Sequence, residues 1–141
     1  MLGFDTTITY DKLAAFCDVI RSGAPYIATH PDFNCPTETG FIPDTGSFIE
    51  LIAASTERRP DVVIGKPNRH ILDALVEKIH VPLSEIAMVG DRLYTDIALG
   101  QHGITTVLVL CGETKKEEVA EAKFKPTVVV ENLLELVKLL N

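Results

Sequence analysis

The sequence predicts an α/β fold built on parallel strands, and three observations carry that reading. Aliphatic runs at 61–64, 86–89, 104–110 and 127–130 are short and continuous, as in strands covered on both faces. Segments with helical spacing separate them, at 68–79, 93–101, 115–122 and 132–140. Such alternation implies right-handed crossovers and a parallel sheet. At 141 residues the chain is also long enough to bury a core.

The elements follow in order. Residues 1–5 form an apolar run with an abrupt start, expected to be a strand cut short with something missing upstream. Thr9 is placed to cap a helix in which Leu13, Phe16, Cys17 and Ile20 share a face and which Gly23 ends. A strand is expected at 25–29, and residues 30–45, rich in Pro, Gly, Thr, Asp and Asn, are expected as a long loop. A helix follows over 46–55, with Phe48, Leu51 and Ile52 on one face. The polar stretch Thr56-Glu57-Arg58-Arg59-Pro60 marks a boundary, giving segments 1–58 and 59–141.

Composition narrows the partners. Thirteen Lys and Arg against twenty Asp and Glu give a net charge of −7, which opposes nucleic acid and anionic membranes. Cys17, Cys35 and Cys111 are odd in number and widely spaced, so neither a disulfide framework nor a structural zinc site is implied. No apolar run approaches the roughly 18 residues of a membrane span, and no basic region precedes an apolar leader. A soluble, cytoplasmic protein is expected.

The chemistry concentrates in two strand-to-loop junctions. Asp61-Val62-Val63-Ile64-Gly65 delivers Lys66, and Ile86-Ala87-Met88-Val89-Gly90 delivers Asp91, with Asp96 five positions on. Ligands of open parallel sheets bind beyond the carboxyl ends of strands. If the two strands are neighbours, the lysine and the carboxylates meet. Elsewhere, His30-Pro31-Asp32 with Cys35 fits no standard zinc spacing, and His70, His80 and His102 are scattered as surface or packing residues are. Arg92 is expected on the loop or surface.

With Gly65-Lys66-Pro67 followed by Gly90-Asp91-Arg92-Leu93-Tyr94-Thr95-Asp96, the chain resembles the haloacid dehalogenase-like hydrolases, in the nitrophenylphosphatase-type branch with an inserted α/β cap. Val107 to Thr114 also fits that branch. The resemblance implies a parallel three-layer, Rossmann-like half-core and, before it, a small α/β remnant of the cap. It implies that Lys66 neutralises phosphoryl oxygens, that Asp91 holds Mg2+, and that Asp96 orients Lys66 or the metal shell. The substrate implied is a small phosphorylated metabolite.

Two departures stand out. The family's nucleophile motif, Asp-x-Asp-Gly-Thr, is absent, since no Asp-x-Asp occurs in the chain. At Gly100-Gln101-His102-Gly103-Ile104, relatives usually carry one more residue. Gly3-Phe4-Asp5-Thr6-Thr7 imitates the missing motif and makes Asp5 a candidate substitute carboxylate. The expected function is therefore a truncated phosphatase, with magnesium-dependent hydrolysis by Lys66 and Asp91. The alternative is an inactive fragment that binds phosphate or metal, or acts through a partner. Half of such a sheet leaves strand edges and apolar faces open, so a homo-oligomer or domain-swapped dimer is expected.

Overall fold

A computed structural model describes residues 1–140. The chain divides into two compact units, Met1–Gly65 and Lys66 onward.

The first unit opens with Leu2, bridged in parallel to Ala28 of strand β1 (Ile27–Ala28). Helix α1 (Tyr10–Arg21) lies between them in sequence, and Thr9 caps it by accepting from the Lys12 N–H. Gly23, at φ 87°, follows the helix end in the left-handed region that glycine adopts without steric cost. Helix α2 (Thr45–Thr56) starts at Asp44, whose carboxylate accepts from the Thr45 N–H at 2.6 Å. The core of the unit joins Leu2, Cys17, Ile20, Tyr26, Ala28, Ile49 and Ile52.

Two expectations are corrected here. Residues 30–45 are not all loop: β2 (Asn34–Thr37) and β3 (Gly40–Pro43) form an antiparallel hairpin in the register Asn34↔Pro43 to Thr37↔Gly40. All but one of its residues are exposed, so it has no hydrophobic alternation to read. The run at 61–64 yields the short strand β4 (Val62–Val63), which pairs in parallel with β1 and not with the strand that leads to Asp91. Asp61 fixes that pairing, because its carboxylate accepts the Tyr26 N–H at 2.7 Å while its own N–H donates to the Tyr26 carbonyl. β4 thus belongs with β1 in the unit that ends at Gly65.

The second unit is the α/β, Rossmann-like half-core. Helix α3 (His70–Ile79) precedes β5 (Ala87–Gly90), and β6 (Thr105–Val109) and β7 (Val128–Val130) complete a parallel sheet in the order β5-β6-β7. Because alternate side chains leave a strand on opposite faces, this sheet builds two cores. On one face Met88 meets Leu72 of α3, Ile86, Leu99 and Ile104. On the other, Val107, Val109 and Val130 pack with Leu136 of helix α5 (Leu133–Leu139). Helix, sheet and helix make three layers. Helix α4 (Glu118–Glu121) is a single turn, shorter than its spacing suggests, and α5 leaves Leu133, Leu134 and Val137 exposed. No helix among the described residues is long and apolar enough to cross a membrane.

The helix expected at 93–101 is replaced by a turn and a 3-10 segment, Ile97–His102. A 3-10 segment climbs about 2.0 Å per residue against about 1.5 Å in an α-helix, so a shorter segment still spans the way to β6.

Leu99 is 2% exposed at the centre of the α3-side core. Leu99→Ala is expected to cost about 2–5 kcal/mol in urea unfolding of the second unit. A loss under about 1 kcal/mol would mean that this face is not the packed core described.

Candidate functional site

Strand β5 ends at Gly90, and the chain turns at once. The Ile97 and Ala98 N–H groups reach back five residues, to the Arg92 and Leu93 carbonyls, each at 3.1 Å. Such wide turns are rare and concentrate at functional sites. This one carries Asp96, 3% exposed, back under the end of β5. A Cβ on Gly90 would overlap the Asp96 carboxylate, which is why glycine must end the strand.

Asp96 uses both oxygens. Oδ1 accepts from Lys66 Nζ at 2.5 Å, and Oδ2 accepts from the backbone N–H groups of Asp91 and Arg92, each at 3.1 Å. The carboxylate side chain is 4% exposed and the lysine 32%, so the cation's outer side still meets solvent. Lysine has three donors, and one is spent on Asp96. The geometry therefore makes Asp96 the residue that orients Lys66 and closes the 91–92 turn. Both of its oxygens are occupied by these partners.

Lys66 is tethered from its other side. The Lys66–Pro67 peptide is cis, and His102 Nε2 lies 2.9 Å from the Pro67 carbonyl, so that nitrogen carries the proton and donates. Gln101 donates to the same carbonyl at 3.5 Å. His102, expected as a surface or packing residue, thus fixes the segment beside the lysine.

Asp91 is partly buried. Its Oδ2 accepts from the Glu113 N–H at 2.7 Å, and its carbonyl accepts from the Thr114 N–H at 3.2 Å. Both donors lie in the loop after β6, beside β5 in the sheet with Gly90 opposite Leu108. Arg92 lies on the loop after β5, as expected, but its side chain is only 14% exposed and Nε donates to Glu113 Oε2 at 2.8 Å. The sequence held one signal for this loop, the Gly112-Glu113-Thr114 run directly beyond the carboxyl end of an apolar strand.

Magnesium prefers hard oxygen ligands and keeps several waters, binding through one or two carboxylates and substrate phosphates. Asp91 is an oxygen donor of that kind at the mouth of the site. Among the described residues no three His, Cys, Asp or Glu side chains converge as a metal set. A single carboxylate oxygen of this kind suits a magnesium ion that keeps most of its waters.

Asp5 belongs to the first unit, away from this constellation in sequence. Its Oδ1 accepts from the N–H and the hydroxyl of Thr7, both at 2.7 Å, and Oδ2 pairs with Lys12 at 3.1 Å. The Thr7 hydroxyl above all, then the Thr7 N–H and Lys12, pull its pKa down from 3.8 to about 2.

Comparison with known proteins identifies the family. Residues 63–136 match the HAD-hydrolase-like family model. The chain is 40% identical over 136 residues to the 5'-nucleotidase YutF of Bacillus subtilis, covering 96% of this chain and 53% of that protein. It is 39% identical to an acid sugar phosphatase of Staphylococcus haemolyticus, covering 89% of this chain and 48% of that one. Among solved structures, a 4-nitrophenylphosphatase from Thermotoga maritima superposes with a TM-score of 0.89 at 52% identity, over 96% of this chain and 52% of that chain. The chain thus spans about half the length of the relatives it matches. On the match of residues 63–136 to that family model and on the half-core fold shared with the solved phosphatase, the chain belongs to the haloacid dehalogenase-like hydrolases.

Proposed function

We propose that this chain carries the phosphate- and metal-binding half of a magnesium-dependent phosphomonoester hydrolase site that acts on small phosphorylated metabolites. The observation that carries the reading is the double use of Asp96, which fixes a lysine and an Asp91 backbone turn with one carboxylate. Phosphoryl transfer needs little from the protein beyond positioning and charge stabilisation at the equatorial oxygens. Lys66 supplies positive charge at a fixed point, with two donors not used by Asp96. Asp91 would hold the magnesium ion, which when bound neutralises phosphoryl oxygens and orients them. The relatives' descriptions as a 5'-nucleotidase, an acid sugar phosphatase and a 4-nitrophenylphosphatase support a phosphate ester as substrate.

A second reading rests on the missing Asp-x-Asp: the chain binds phosphate and metal but turns nothing over. Phosphate release from a panel of small phosphomonoesters, with magnesium or chelator, separates the two. The first reading expects magnesium-dependent release that is lost in Asp91→Asn and falls about 100-fold in Lys66→Ala. Full activity in both variants would sink the site assignment. Negligible release from wild type and variants alike would select the second reading.

Asp5 does not enter this mechanism, because its carboxylate is engaged by Thr7 and Lys12. A carboxylate with a depressed folded pKa contributes stability above its unfolded value and gives it up as pH falls through the folded value. Here that window runs from 3.8 down to about 2. Following the Asp5 carboxyl carbon by NMR should give a midpoint near about 2, rising toward 3.8 in Thr7→Ala. The same midpoint in both proteins would refute the hydrogen-bond origin of the shift.

A further inference from the structure

The loop after β6 does more for Asp91 than pass nearby. Three contacts join it to the turn after β5. Glu113 donates its N–H to Asp91 Oδ2, Thr114 donates its N–H to the Asp91 carbonyl, and the Glu113 carboxylate accepts from Arg92 Nε. Arg92 is the chain neighbour of Asp91, so these bonds close a ring. Asp91 leans on the Glu113 backbone, and the Glu113 side chain is tied back to the residue beside Asp91. Gly112 completes the cradle, since a Cβ there would overlap Asp91 Oδ2 and its Cβ and Cγ.

From this ring we propose that Glu113 is a positioning residue for Asp91, aiming its carboxylate at the magnesium ion through the Arg92–Glu113 pair, with Gly112 leaving the room it needs. The inference rests on the reading of Asp91 as the metal ligand. A hydrogen bond to a charged carboxylate is strong and directional, so it fixes which oxygen is turned to the backbone and which is left for a cation. Among the described residues Asp91 Oδ1 has no hydrogen-bond donor. The Arg92 side chain is mostly buried, which gives the ring a rigid member. If the Arg92–Glu113 pair is broken, the loop loses its lateral tie while the parallel ladder of β5 and β6 is untouched. Metal affinity therefore falls without loss of fold.

The test is Mn2+ binding to the whole chain, read from the electron paramagnetic resonance signal of free Mn2+ with magnesium competition, beside a melting curve for each variant. Glu113→Ala is expected to weaken Mn2+ binding about 10-fold or more, the scale seen when groups that orient a metal ligand are removed, with its melting temperature unchanged. Glu113→Gln keeps an acceptor for Arg92 and is expected to bind within about threefold of wild type. Gly112→Ala, which pushes on Asp91 directly, is expected to lose at least as much as Glu113→Ala. Asp91→Asn identifies which claim fails. If wild type does not bind, or Asp91→Asn binds as wild type does, the ligand reading falls and the positioning role falls with it. If Asp91→Asn loses binding while Glu113→Ala and Gly112→Ala keep it, only the positioning role is overturned. Equal loss in Glu113→Gln and Glu113→Ala would also overturn it, because the charge of Glu113 would then matter in place of its tie to Arg92.

Discussion

The second unit depends on one buried carboxylate. A charged group taken out of water is costly unless donors replace the water it loses, and Asp96 receives three: the Lys66 ammonium and the Asp91 and Arg92 N–H groups. Satisfying Asp96 and building the site are therefore the same event. The lysine comes to the end of β5 because the carboxylate is there, and the turn folds over the carboxylate with two N–H groups donating to Oδ2. Glycine at position 90 is the steric condition for both.

From that anchor outward, the sheet sets what can reach the site. Parallel order places the loops after β5 and β6 side by side, which lets the Gly112–Thr114 backbone brace Asp91. The 3-10 segment after Asp96 brings His102 to the Pro67 carbonyl and so steadies the residue next to Lys66. Under the proposed function, and against an overall charge of −7, the oriented Lys66 is the local positive charge for an anionic substrate.

Much of this was legible in the residues, and what was not has identifiable causes. Aliphatic runs gave away β5, β6 and β7, although only β6 is buried along most of its length while β5 alternates exposed and half-buried residues. The partnership of Lys66 with Asp96 followed from two strand ends and a family pattern, although the strand before Lys66 turned out to pair with β1. That error came from assuming that consecutive strands share a sheet; Val62 and Val63 look alike in either. The β2–β3 hairpin was invisible because its side chains face solvent. The pairing of Arg92 with Glu113 escaped notice because an ion pair between loops 21 residues apart leaves no periodic trace.

The central claim, that Asp96 holds the Asp91 turn by its backbone, is tested most directly by amide hydrogen exchange at Asp91 and Arg92 in wild type and Asp96→Ala. The account predicts that both amides are protected in wild type and lose that protection in the variant, while β6 and β7 amides keep theirs. Unchanged protection at Asp91 and Arg92 in a folded Asp96→Ala would contradict it.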